Sequence, residues 1–353
     1  MFTTDLHLHP ACGIAPQARP AALPFSPESP WLAPLAGYTD LPFRLLCREY
    51  GAAVCCTEMV SAKGLCYHSA GTEDLLRTLP QDQALVVQLF GNEPENLQQA
   101  MQPLLKQGFT WFDLNMGCSV PKVARSGCGA AMMKDINNSL AVAKAMIAVA
   151  GKGHVGFKFR LGWDEGHECW QELGLGLQEL GAGWVSLHPR YARQAFSGTA
   201  RWQSIAALAD CLTIPVIASG DLFTAKDGVR CLKETGAATV MYARGAMSNP
   251  AIFAEHKRLW QAETSPQPTG TTPADALAAD YAARKRIRAM IQRHAELARA
   301  YSNERAALFK MRTFVPRYVH AVSGVRALRQ GLSACTEWAQ LDALLDEFLG
   351  SSY

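Results

Sequence analysis

The chain reads as an α/β protein, a (β/α)8 TIM barrel followed by a small C-terminal all-helical bundle. Three observations predict it. Eight short apolar runs recur between residues 31 and 260, with amphipathic stretches after most of them. Residues able to do chemistry gather just past the ends of those runs rather than at their starts. A Pro- and Thr-rich stretch at 262–275 then gives way to a region whose apolar residues recur every three or four positions.

Taken in order, residues 1–30 are rich in proline and are expected to form a flexible N-terminal extension. They lack the basic start and apolar stretch of a signal peptide, and no run of about 18 uncharged apolar residues occurs anywhere. A cytoplasmic, monomeric protein without membrane contact is expected. DLHLHP at 5–10 puts His7 and His9 on one strand face, as in metal-binding barrel hydrolases. It lies well ahead of the first barrel strand and has no later ligand motif to match, so no metal site is expected.

The eight runs are 31–35, 54–58, 85–89, 111–114, 155–159, 184–187, 215–218 and 239–242. Each is four or five residues long with little internal alternation, as in strands buried on both faces. Stretches such as PENLQQAMQPLLKQG and TAKDGVRCLKETG follow and stop at glycine, a helix-end signal. A doubly wound sheet is the rival, but it calls for a Gly-rich turn after its first strand. Here that strand runs into APLAGYTDLPF. The barrel is assigned to 31–261, a linker to 262–275 and a basic helical domain to 276–353.

In that last domain Ile287, Met290, Ile291, His294, Leu297, Ala298 and Tyr301 mark one apolar face. Leu308, Met311, Val315, Val319 and Val322 mark a second, with Pro316 as a kink or restart, and Trp338, Leu341, Leu344, Leu345 and Phe348 a third. A bundle of three or four helices follows. Net charge is +3 overall, but residues 281–330 hold twelve Lys and Arg against Glu296 and Glu304, for +10. A solvated helical face usually mixes both signs, so this domain suits a polyanion. The 11 cysteines contain no C-x-x-C pair, which removes zinc-ribbon and thioredoxin-like readings.

Barrel active sites lie at the C-terminal ends of the strands. Reading there gives Pro34, Leu35 and Ala36 after the first run, Glu58 and Met59 at the end of the second and Gln88 at the third. Asn115 and Cys118 follow the fourth, Lys158 and Arg160 mark the fifth, and His188 and Arg190 follow the sixth. Ser219, Gly220 and Asp221 follow the seventh, and Ala243 and Arg244 the eighth. The last two groups fit a phosphate site, because Gly220 allows close backbone approach and Arg244 can bind an anion bidentately. The plainer alternative is a turn and a surface arginine. Lys158, inside GFKFRLGW, must face the mouth and find an anion, either a ligand or Glu58 or Asp113. Cys118 opens a loop, where a thiol of ordinary pKa, about 8.5, can serve as general acid; a buried inert thiol is the alternative.

LAPLAGYTDLPFR, TEMVSAKG, VVQLFG, DLNMGC, KFRLGW, LHPRYARQAFSG and IPVIASGD occur in that order. Together they resemble the tRNA-dihydrouridine synthases across about residues 31–255, with the bacterial B-type branch most similar. The resemblance implies an FMN-containing barrel that reduces the C5–C6 bond of particular uridines in tRNA, with NADPH or NADH as electron donor. Reduced FMN would give a hydride to C6 and Cys118 a proton to C5. Pro34, Leu35 and Ala36 would lie along the flavin, with Gln88 and Lys158 bonded to its ring and His188 beside it. Ser219, Gly220, Asp221, Ala243 and Arg244 would hold its phosphate. Asn115 would contact the uracil, with Arg160 and Arg190 also expected on the substrate side. Ser119, Ser219 and Ala243 stand where the family usually has Pro, Asn and Gly.

Two other functions fit parts of the pattern. An FMN barrel acting on a free pyrimidine or other small molecule would have no use for the basic bundle. A tRNA-binding protein without catalysis would be colourless, and would have no use for Cys118, Lys158 and Gln88.

Overall fold

The computed structural model describes residues 22–69, 71–264, 275–319 and 325–350, with backbone alone at 264 and 275–281. Its strands are β1 (Trp31–Leu32), β2 (Val54–Cys56), β3 (Val60–Ser61), β4 (Leu85–Phe90), β5 (Trp111–Met116), β6 (Val155–Arg160), β7 (Trp184–His188), β8 (Val216–Ala218) and β9 (Thr239–Tyr242). Every pairing is parallel, in the order β2-β1-β9-β8-β7-β6-β5-β4-β3, and β2 also pairs with β4. That last pairing closes eight strands into a barrel, as expected. Helices cover the outside, including Leu41–Glu49, Pro94–Lys106, Ile136–Ala150, Trp170–Leu180, Trp202–Cys211 and Ala225–Thr235.

Alternation along each strand sorts the core into two parts. Leu32, Val87, Phe112, Leu114, Phe157, Phe159, Val185, Leu187 and Val240 belong to the cluster shared with the surrounding helices. Trp31, Val54, Val86, Trp111, Trp184, Ile217 and Met241 form a second cluster inside the barrel. The tryptophans plug its lower half. Gly156 makes room for them, because a Cβ there would stand 1.9 Å from the Trp184 ring.

Strand ends differ from expectation in both directions. The first run leaves the sheet after Leu32, because Leu35 O accepts from Tyr38 N and Thr39 N and so turns the chain. The second run breaks after Cys56 and resumes as β3 on the same edge of β4. By contrast, β5, β6 and β7 run on through Asn115, Arg160 and His188. Those side chains therefore point as the pleat dictates rather than as a loop would.

The expected flexible extension needs correction at residues 22–30. Leu23 is buried inside the barrel cluster and Phe25 stacks near Trp31 and Trp184 at 5.3 and 5.9 Å. Pro27 O accepts from His256 Nε2 at 2.8 Å and Ser29 O accepts from Thr239 Oγ1 at 2.8 Å. This segment closes the bottom of the barrel. Residues 1–21, with His7 and His9, lie outside the described residues.

The helix Ile252–Thr264 runs three residues into the expected linker, and 265–274 lie outside the described residues, as does Val322. Four helices follow: Asp275–Tyr301, Glu304–Tyr318, Val325–Ala334 and Trp338–Leu349. Pro316 lies inside the second, near its end, and starts no new helix. Their core is continuous with the barrel's outer core. Phe43, from the helix Leu41–Glu49, packs on Phe314 at 4.7 Å and on His294 at 5.7 Å.

Candidate active site

Period-two geometry and parallel register assemble the mouth. Gln88 pairs with Asp113, Asn115 with Lys158, and Arg160 with His188 across neighbouring strands. Trp111 lies two residues below Asp113 and Trp184 four below His188 on the same inward faces, so the upper half of the barrel is left for a cleft. Its volume is about 270 Å³, near the small end of ligand sites. Pro34, Leu35, Ala36, Asn115, Cys118, Lys158, Arg160, His188, Ser219, Gly220, Asp221, Ala243 and Arg244 all line it. Residues from seven of the eight strand ends thus meet in one cavity. Glu58, Gln88 and Arg190 do not line it, and each has a partner that accounts for its place.

Gln88 is fully buried behind the wall. Its Nε2 donates to Asp113 Oδ1 at 2.7 Å and its Oε1 accepts from Asn115 Nδ2 at 2.9 Å. Asn115 Oδ1 in turn accepts from Gly117 N at 3.2 Å and Cys118 N at 2.9 Å. Gln88 therefore acts through Asn115, and Asn115 fixes the turn that carries Cys118. Burial pushes the Asp113 carboxyl up to about 7, against the Gln88 hydrogen bond and the Lys158 charge.

Lys158 forms no ion pair or hydrogen bond among the described residues, so the alternative of a structural pair with Glu58 or Asp113 is not what is seen. Glu58 instead accepts from Gly37 N. Burial first, and Arg160 second, bring Lys158 down to about 8. Arg160 donates from Nε to Gly117 O at 2.7 Å, and from Nη1 to Tyr191 O and Ala195 O at 3.1 and 2.8 Å. It ties the loops after β5 and β7 together while facing the cleft.

Arg190 is buried and grips Asp221 with both Nη atoms, at 2.9 and 2.7 Å. Burial opposes ionisation of Asp221, but the Arg190 and Ala200 N–H bonds outweigh it and hold the carboxyl below its usual range. With that charge already matched, an anion here would meet backbone N–H groups and Arg244 rather than a free carboxylate. Gly220 takes φ +107°, and a Cβ on it would lie 2.6 Å from His188 Cδ2, so only glycine fits. Arg244 lies between two exposed rings, 4.8 Å from Phe196 and 4.6 Å from Phe223.

Met59, expected at the second strand end, lines the cleft, and Phe196 and Phe223 line it without having been anticipated. Met59 arrives because the second strand breaks before it. Phe196 carried a faint signal, an aromatic beside Ser-Gly in a long loop after a strand. The surroundings fit a flat anionic cofactor bearing a phosphate: an unpartnered ammonium on the floor, a glycine cradle, and an arginine at the rim. No group of three or more His, Cys, Asp or Glu able to hold a metal occurs among the described residues.

A parallel barrel whose mouth joins a loop thiol, a floor lysine and a glycine–arginine anion cradle is an enzyme of the (β/α)8 class. Residues 31–351 match the model of the dihydrouridine synthase family, and the chain belongs to that family. A protein named probable tRNA-dihydrouridine synthase 1, from Synechocystis sp., is 33% identical over 321 residues, spanning 91% of this chain and 86% of its own. A probable tRNA-dihydrouridine synthase of Mycobacterium tuberculosis is 32% identical over 333 residues, 91% and 82% of the two chains. A tRNA-dihydrouridine synthase B of Xanthomonas axonopodis pv. citri is 34% identical over 226 residues, 64% and 67%. Among solved structures, an old yellow enzyme homologue from Zymomonas mobilis is similar with TM-score 0.46 at 11% identity, covering 71% of this chain and 93% of that one.

Proposed function

We propose that the chain reduces uridines in tRNA to 5,6-dihydrouridine, with FMN held in the barrel mouth and NAD(P)H as electron source. Bound there, FMN supplies the hydride that adds to C6 of the uracil. The rest falls to side chains. Cys118 gives the proton to C5 from the loop that Asn115 holds in place. The Asn115 amide, already bonded through Gln88 to Asp113, presents a fixed edge for the uracil. Lys158 stabilises negative charge at the floor of the cleft, and Arg244 with the backbone at 219–221 holds the phosphate. Pro34, Leu35 and Ala36 give an apolar wall for a flat ring. A base paired in a stem cannot enter such a cleft, so the target must be unstacked and turned inward.

The barrel is assigned to 31–261 and the helical part, 276–353, to tRNA binding, in a monomer working in the cytoplasm. No helix among the described residues is long and apolar enough to cross a membrane. The observation that carries the reading is the convergence of Cys118, Lys158, Gly220 and Arg244 on one cleft. The test is to record the visible spectrum of the purified protein and to measure dihydrouridine in tRNA from cells with and without the gene. A flavin spectrum and loss of dihydrouridine are expected. A colourless protein, or unchanged dihydrouridine, would overturn the proposal.

A further inference from the structure

We propose that Arg190 is a positioning residue that fixes His188 as a neutral imidazole with its proton on Nδ1, making His188 a standing hydrogen-bond donor to the cleft and not an acid or base. The argument is an accounting of donors. A guanidinium has five N–H groups and no acceptor. Arg190 Nε donates to Ser197 O at 3.0 Å; Nη2 donates to Gly198 O at 2.6 Å and Asp221 Oδ2 at 2.7 Å. Nη1 donates to Asp221 Oδ1 at 2.9 Å and meets His188 Nε2 at 3.3 Å. Four donors are taken by oxygens that can only accept. The fifth faces Nε2, which must therefore carry a lone pair, and the imidazole proton is left on Nδ1.

The surroundings act in the same direction. Lys158 and Arg160 on β6, Arg190 on the loop after β7, and Arg244 after β9 are all cations around the ring. The nearby carboxylate, Asp221, is held by Arg190 and Arg244. Burial comes first, and these charges add to it, in keeping His188 well below the usual histidine range. Nδ1 has no hydrogen-bond partner among the described residues, and the side chain lines the cleft. A ligand carbonyl or ring nitrogen is what such a donor would meet. The donor's use in uridine reduction rests on the proposed function; the tautomer does not.

The test is a two-bond ¹H–¹⁵N spectrum of the histidine rings of the full chain from pH 5 to 8.5, with the His188 signals identified by their loss in H188Q. An unchanging neutral Nδ1–H pattern is expected, with a scalar coupling across the Arg190 Nη1–H···Nε2 bond. Titration of His188 inside that range, or a proton on Nε2, overturns the proposal, as does absence of the coupling. In folded R190Q the Nδ1–H pattern should give way to mixed tautomers; an unchanged pattern removes Arg190 from the role. The wild-type coupling decides that role even if R190Q does not fold. None of these spectra depends on flavin or tRNA, so failure of the family-based function would leave them untouched.

Discussion

At the scale of single residues, chemistry rests on side chains that others hold still. Cys118 is aimed by Asn115, which is itself held by Gln88. Cys118→Ala should keep FMN bound yet lower single-turnover reduction of tRNA by about 10²–10⁴-fold, the usual worth of a positioned general acid. Undiminished turnover would mean that the proton comes from elsewhere. Lys158 adds a pH signature. Its charged form is present below about 8 and lost above, and an anionic ligand binds the charged form better. FMN binding therefore takes up a proton, and its Kd should rise toward about tenfold per unit as pH climbs past 8. Lys158→Met should bind more weakly at neutral pH and lose that slope; a flat wild-type profile would displace Lys158 from the anion. Motif order was enough to name most of these residues. It did not reveal that Gln88 and Arg190 stand one layer back, because their partners, Asp113 and Asp221, come from other strands and loops.

At the scale of elements, a strand's last residue decides what a barrel can do. The apolar runs marked β5, β6 and β7 well, but stopped one or two residues short of their ends. Asn115, Arg160 and His188 proved to be in the ladder, since neighbouring strands supply hydrogen bonds that composition does not reveal. Gly156 is another tertiary demand that looked local. Gly156→Ala would drive a methyl into the Trp184 ring, and the loss should exceed the about 1–3 kcal/mol typical of overpacking. A urea midpoint close to wild type would show that the tryptophan layer can shift. His294 carries the corresponding lesson in the helices. Its periodicity marked it only as part of an apolar face. It is buried against Phe43 and Phe314, with Nδ1 hydrogen-bonded to Tyr318 Oη at 2.8 Å, and burial brings it down to about 3. The unfolded chain binds a proton there near 6.5 and the folded one does not, so stability falls as pH drops. The His294 share approaches about 1.4 kcal/mol per unit between 6.5 and 3. In His294→Asn, whose amide oxygen can take the Tyr318 hydroxyl, denaturant titrations from pH 7 to 4 should show a shallower decline; an identical slope would assign acid sensitivity to other groups.

Across the whole molecule, charge count and charge placement part ways. The +10 of residues 281–330 suggested a polyanion surface on the bundle, yet much of that charge is engaged in holding the protein together. Arg288 is buried and paired with Asp346, Arg293 grips Glu49 on the barrel, and Arg299 pairs with Glu304. Lys310 donates to Gly37 O at 2.7 Å and pairs with Asp40, docking the helix Glu304–Tyr318 beside the cleft's rim. That helix and the next carry exposed bases, Arg305 and Arg329, near Phe309, which is 50% exposed and lies under Arg312 at 4.7 Å. Phosphates and an unpaired base suit such a surface. Reversing Arg305 and Arg329 to Glu should raise the Kd for tRNA with flavin content unchanged. It should also flatten the log Kd–log salt plot by about 0.7–0.9 for each phosphate no longer neutralised. Arg293→Glu should do the opposite: it breaks the ion pair with Glu49, lowers the melting temperature and leaves the salt slope alone. If the Arg293 change flattened the slope and the Arg305–Arg329 pair did not, the RNA would lie along the long helix after all.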